Sequence, residues 1–157
     1  MKLLIAACLL FLNACAPKND AAETNQTTTT NTIDTETQKN KELIKRVYVD
    51  MANKQNYALI DSFFAPGIFD HGALEGQQQG LAGFKKAVTE FLGMFSKVEI
   101  TVKEIIAEGD MVATHETWTV TMKANNKVLT GETLHMFRIK DGLITDEWSK
   151  GWEWLGL

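Results

Sequence analysis

From residue 39 onward the apolar positions first recur every three to four residues, then, past residue 95, every second residue. In "KNKELIKRVYVDMANK", Leu43, Ile44, Val47, Tyr48 and Met51 fall on one side of a helix. "NYALIDSFFA" predicts a shorter helix, with Asn56 at its start and Pro66-Gly67 ending it. "IFDH" is a brief extended piece. "GLAGFKKAVTEFLGMF" aligns Leu81, Phe84, Val88, Phe91, Leu92 and Phe95 as a third amphipathic helix. Four β-rich runs follow, "VEITVKEIIAEG", "MVATHETWTVTMK", "VLTGETLHMFRIK" and "LITDEWSKGWEW", separated by the hairpin signals Gly109-Asp110, Asn125-Asn126 and Asp141-Gly142. Three helices and then a four-stranded meander predict an α+β fold, the helices packed on one face of a curved antiparallel sheet.

The turns predict which strand residues share a face. A two-residue turn at Asn125-Asn126 sets Glu116 across from His135 and Trp118 across from Thr133. A turn at Asp141-Gly142 sets His135 against Trp148 and Phe137 against Asp146. One face then collects Val112, Thr114, Glu116, Trp118, Val120, His135, Phe137, Ile139, Ile144, Asp146 and Trp148. The other collects Thr117, Thr119, Thr121, Thr130, Glu132, Arg138 and Lys140. The aromatic content of the first set marks it as the buried face, since a one-residue slip would expose all of it. Glu116, His135 and Asp146 are then ionisable groups among apolar neighbours. Such groups are costly unless paired, solvated or used, and a mostly apolar pocket with a few polar groups is the usual form of a small-molecule site.

The N-terminus is expected to lie outside this domain. "MKLLIAACLLFLNAC" has a basic flank, a short apolar run and a small-residue exit, which describes a secretory signal rather than a membrane span of ~20 apolar residues. Its end, "LNAC", resembles the lipobox of bacterial lipoproteins, which implies cleavage before a lipid-modified Cys15. Residues 1–15 are thus expected as signal, 16–38 as a flexible Thr/Asn-rich tether and 39–157 as the domain. The expected location is the bacterial envelope, reached through the lipid anchor alone, with the outer membrane favoured. With Cys8 and Cys15 as the sole cysteines, the mature domain has no disulfide and depends on its core. The formal charge of −4 and the absence of a Lys/Arg cluster point away from nucleic acid. The three histidines have no local metal-ligand spacing, so no metal and no other cofactor is expected.

"FDHG", "IIAEGDMVATHETWT" and "LHMFRIKDGLITDEW", in this order, resemble the SnoaL-like branch of the nuclear transport factor 2-like superfamily. The resemblance covers residues 39 to 157 and implies a cone-shaped α+β roll enclosing a pocket. Its members include polyketide cyclases, ketosteroid isomerases, epoxide hydrolases and non-catalytic binding domains, so the fold does not select a reaction. The ketosteroid isomerase pattern, counted back from Gly80, implies His71 at the position of the general base. It implies Tyr48, five residues before Asn53, and His135, two residues before Phe137-Arg138, as oxyanion donors. His71, Tyr48 and His135 are therefore the candidate catalytic residues, with Glu116, Trp118, Phe137, Asp146 and Trp148 lining the pocket. His135 opposite Glu116 also fits a buried structural pair. The acid that polyketide cyclases carry four residues after the late-strand tryptophan is here Trp152.

Two functions follow. The first is a membrane-anchored domain that binds a small apolar or carbonyl-containing molecule and moves a proton on it, as an isomerase, cyclase or lyase. The second is a non-catalytic ligand-binding or dimerisation module of the envelope, a homodimer forming through the sheet.

Overall fold

The computed structural model of the chain describes residues 24–156. The expected signal and Cys15 lie outside that range. The first helix, α1 (Thr24–Arg46), begins within the segment expected as a tether. Thr35, Glu36, Gln38 and Lys39 on it are exposed or nearly so, and packing starts at Asn40 and Ile44. From Thr35 to Lys39 the segment thus buries little, as its composition requires, yet its backbone closes helical hydrogen bonds rather than staying extended.

At Val47–Ala52 the helix widens into a π-helical turn, which buries Val47, Tyr48, Met51 and Ala52. Its closing bonds span five residues, Asn53 N–H to the Tyr48 carbonyl and Asn56 N–H to the Met51 carbonyl, both 2.8 Å. A 3₁₀ turn (Tyr57–Leu59) and the one-turn helix α2 (Ile60–Phe63) lead into β1 (Phe64–Asp70). The expected helix "NYALIDSFFA" is thus shorter, and its last residues join the sheet. Helix α3 (Leu81–Gly93) is followed by β2 (Phe95–Glu108), β3 (Met111–Met122), β4 (Val128–Lys140) and β5 (Leu143–Lys150), and a 3₁₀ turn (Glu153–Leu155) is the last element of the described residues.

The sheet has five strands rather than four, in the order β1-β5-β4-β3-β2, with β1 parallel to β5 and the rest antiparallel. The helices cover one face, giving the expected α+β roll. Ile44, Ile60, Phe63, Ile68, Phe95, Val112, Val120, Ile139 and Ile144 are at most 2% exposed and form its core. Each such side chain contributes about 1.5–3 kcal/mol.

Two details of strand pairing differ from expectation. The β3–β4 loop is four residues long, not two: Met122 N–H bonds the Lys127 carbonyl at 2.9 Å, with Asn126 at φ 56°. Pairing shifts by two, so Glu116 faces Thr133 and His135 faces Thr114. An even shift preserves the faces, and Thr114, Glu116, Trp118, Thr133, His135 and Phe137 are all buried. The β4–β5 hairpin starts as expected, with Lys140 opposite Leu143 and Ile139 opposite Ile144, but Arg138 then pairs with Asp146. Thr145 is an unpaired extra residue, a β-bulge that exchanges the faces of everything beyond it.

Candidate functional site

A cavity of about 100 Å³ lies between the π-helical turn, α3 and the concave face of the sheet. Most of its wall is apolar, including Met51, Phe84, Val88, Phe91, Trp118 and Phe137. Three polar side chains join them: Tyr48, His135 and Glu147. Trp152, carried past the end of β5, closes the wall between α3 and β3.

Tyr48 owes its place to the π-helical turn, since the widened ladder directs its ring onto β3. Just beyond, Asn53 grips the β2 backbone at one residue. Its Nδ2 donates to the Ile100 carbonyl at 3.0 Å, and its Oδ1 accepts from the Ile100 N–H at 2.7 Å. This clamp fixes the register of the helix end against the sheet. π-Helical turns recur at functional sites because they re-aim one residue without ending the helix.

Beneath the cavity Glu116 is fully buried, and both its oxygens are engaged. Oε1 accepts from the Tyr48 hydroxyl at 2.6 Å; Oε2 accepts from Thr133 Oγ1 at 2.7 Å and meets His135 Nδ1 at 3.0 Å. Burial pushes the Glu116 carboxyl up, but the hydrogen bond and charge of His135 and the Tyr48 hydroxyl outweigh it and leave the carboxyl below its ordinary range. An ionised carboxylate can only accept, so Nδ1 carries the proton of that bond and Nε2 turns toward the cavity. Burial, then the charge of Glu116, raises the Tyr48 phenol well above its usual value. Its one proton is engaged by Glu116, so Tyr48 holds this network rather than offering a free donor to the cavity.

Across the cavity edge, Nε2 of His135 lies 3.6 Å from Oε1 of Glu147. Glu147 stands opposite Phe137 on β4 and beside Asp70 on β1. Burial pushes its carboxyl up to about 7; His135 pulls the other way, and the charges of Asp70 and Glu116 add to the rise. Asp70 is held by the Gly72 N–H at 2.8 Å and by Gln77 Nε2 at 2.7 Å.

The expected site residues therefore divide. Tyr48, His135, Trp118 and Phe137 line the cavity, with Glu116 directly behind them. His71, Asp146 and Trp148 do not reach it. The bulge at Thr145 turns Asp146 and Trp148 onto the convex face, where Trp148 stacks on His71 at 4.1 Å with 9° between the rings. His71 Nε2 lies 3.1 Å from Asp146 Oδ1, and Phe69 and Arg138 flank the group. His71 is out of phase with the cavity because its neighbour Asp70 takes the inward position opposite Glu147. Sequence reasoning thus missed Glu147, since a bulge of one ordinary threonine carries no compositional signal. Among the described residues, no group of three or more His, Cys, Asp or Glu side chains is placed to hold a metal ion.

Residues 42–151 match the family model described as SnoaL-like polyketide cyclase. No curated protein matches the chain. Among solved structures, a candidate polyketide cyclase from Bacillus cereus ATCC 10987 is similar at 24% identity and TM-score 0.65, over 76% of this chain and 81% of that one. A candidate SnoaL-like polyketide cyclase from Jannaschia sp. CCS1 follows at 15% and 0.66, over 73% and 85%. An LEH-like epoxide hydrolase from M. tuberculosis is similar at 15% and 0.63, over 74% and 84%. At these identities the structures establish a shared fold, whereas the family model spans most of the chain: it belongs to the SnoaL-like polyketide cyclase family.

Proposed function

We propose that the cavity binds a small, mainly apolar carbonyl-containing molecule and moves a proton on it without a cofactor, Glu147 and His135 being the exchanging groups. The observation that carries this reading is the Glu147 carboxyl, held up to about 7 inside an apolar cavity and 3.6 Å from an imidazole nitrogen. A carboxyl in that range divides between acid and base near neutral pH, which suits both halves of a proton transfer.

In the reactive state one proton resides on His135 Nε2 and Glu147 is ionised. Glu147 removes a proton from the carbon next to the ligand's carbonyl. The C–H electron pair becomes a carbon–carbon double bond, and the carbonyl π pair moves to oxygen, which takes the proton from Nε2. Return of the Glu147 proton to a different carbon, with the enol proton going back to Nε2, completes an isomerisation. Attack of the enol carbon on a second carbonyl closes a ring instead: the first carbonyl re-forms as the enol proton returns to Nε2, and the second carbonyl's π pair moves to its oxygen, which takes the proton held by Glu147. Glu116 is a positioning residue: its hydrogen bond to Nδ1 fixes the imidazole's orientation.

The test is solvent-deuterium incorporation into small ketones and β,γ-enones, followed by NMR with the full-length protein, Glu147→Gln and His135→Ala. Loss of about 10²–10⁴-fold in exchange rate is expected for Glu147→Gln. Exchange no faster than in buffer with the wild type, or unchanged in the variant, refutes the reading.

The sequence pattern supports attachment of this domain to the envelope through lipid on Cys15. Radiolabelled palmitate entering the wild type but not Cys15→Ser is the expected result. A second reading, a module that dimerises through the sheet, is favoured by Leu134 and Met136, which are 58% and 38% exposed on the convex face. Light scattering separates it from a monomeric domain.

A further inference from the structure

We infer that Trp152 sets the size of the ligand, restricting the cavity to a single ring or a short chain. This rests on the cavity being the ligand site proposed above. The cavity is open to solvent on one side and its volume is about 100 Å³, less than the roughly 150 Å³ of an enclosed cavity that takes up benzene, so a single ring fills it up to its mouth. A fused polycyclic molecule does not fit beside Trp152.

The indole is the part of the wall that occupies the remaining space. Its ring centroid lies 5.0 Å from Trp118, 5.2 Å from Phe91 and 5.5 Å from His135, each at a steep edge-on angle. It therefore bridges the sheet and α3 directly over the proton-transferring imidazole. Shortening Trp152, which stands between Phe91 and Trp118, opens the cavity between the two layers.

Residues 151–155 hold the indole there as a fixed wall. Gly151 sits at φ +93°, where a Cβ would come within 2.8 Å of the Glu132 carbonyl oxygen, so the chain turns back tightly over β4. Trp154 lies against Gly131, where a Cβ would run into its ring. Leu155 is 8% exposed in the core. Two glycines and one buried leucine therefore pin the segment on both sides of Trp152. Immobile aromatic walls of this kind discriminate by shape, because the alternative to exclusion is displacing a packed side chain.

Binding of 2-cyclohexenone and of the bicyclic enone hexahydronaphthalenone tests this by calorimetry, on the full-length wild type, Trp152→Leu and Trp152→Ala. Thermal melts confirm that each variant is folded, and the leucine variant keeps an apolar wall should the alanine variant unfold. The wild type is expected to bind the one-ring enone and to reject the two-ring one. The two-ring affinity should rise at least about tenfold on shortening Trp152, most in Trp152→Ala. Equal binding of both enones by the wild type, or no gain in either folded variant, overturns the role of Trp152. That result leaves the proton-transfer reading standing, because deuterium exchange reads the latter separately. Failure of all three proteins to bind either enone overturns both.

Discussion

His135 Nε2 and Glu147 Oε1 face each other at 3.6 Å, too far apart for a direct hydrogen bond and close enough for both to reach one ligand atom or two adjacent ones. On its other side the imidazole is held at 3.0 Å by Glu116, which also accepts from Tyr48 and Thr133. The result is a chain of buried groups that ends in one titrating carboxyl at the cavity. Its consequences are measurable.

The raised Glu147 carboxyl gives stability a definite dependence on pH. The folded chain holds a proton up to about 7 that the unfolded chain releases near 4.5. The stabilisation is therefore complete below about 4.5 and is lost as pH rises through about 7. The full shift corresponds to about 3 kcal/mol. Denaturant midpoints should fall across that window in the wild type, and Glu147→Gln should flatten the decline. An equally steep decline in the variant would place the titration elsewhere.

Removing one member of the buried network should cost more than removing an exposed pair. Glu116→Ala takes the acceptor from the Nδ1–H of His135 and from the Thr133 hydroxyl and leaves the Tyr48 hydroxyl only Thr114 Oγ1, at 3.0 Å, and a loss of about 3–5 kcal/mol is expected. Urea unfolding measures it. Tyr48→Phe leaves Glu116 one donor short and should cost less, on the order of 1–3 kcal/mol.

His71→Ala should leave ligand binding and proton exchange unchanged. Its side chain is 32% exposed on the convex face, paired with Asp146 and stacked on Trp148. Exposed pairs contribute about 0–1 kcal/mol, and aromatic stacking about 0.5–1.5 kcal/mol, so a small fall in melting temperature is the whole expected effect. A large loss of exchange would return His71 to the mechanism.

The C-terminal segment should be sensitive at its glycines. Gly131→Ala puts a methyl group into the Trp154 ring, and Gly151→Ala puts one against the Glu132 carbonyl in a strained backbone. Each is expected to cost about 1–3 kcal/mol. Both should also loosen Trp152, seen as increased acrylamide quenching of tryptophan fluorescence.

Much of this site is written locally in the chain. Tyr48 lies on the apolar side of a helix, and Glu116, Trp118, His135 and Phe137 alternate inward because strand periodicity survives an even change of register. The four-residue loop after Met122 moved each partner by two and cost nothing in that assignment. The β1–β5 pairing could not be read the same way, since a parallel contact between distant segments leaves no turn signal in either.

The sequence by itself determined the fold class and the inward facing of Glu116, Trp118, His135 and Phe137, because the periods of helix and strand are properties of neighbouring residues, whereas the joining of Tyr48, Glu116 and His135 into one network came from the tertiary structure. Only the tertiary structure decided which carboxyl enters the cavity. A single extra residue, Thr145, whose hydroxyl bonds the Arg138 carbonyl at 3.4 Å and Asp146 Oδ2 at 2.9 Å, reverses the facing of β5. Asp146 and Trp148 go outward with His71, and Glu147 goes inward beside Asp70. A bulge is settled by what both neighbouring strands require of the backbone, and no pattern within one strand records that.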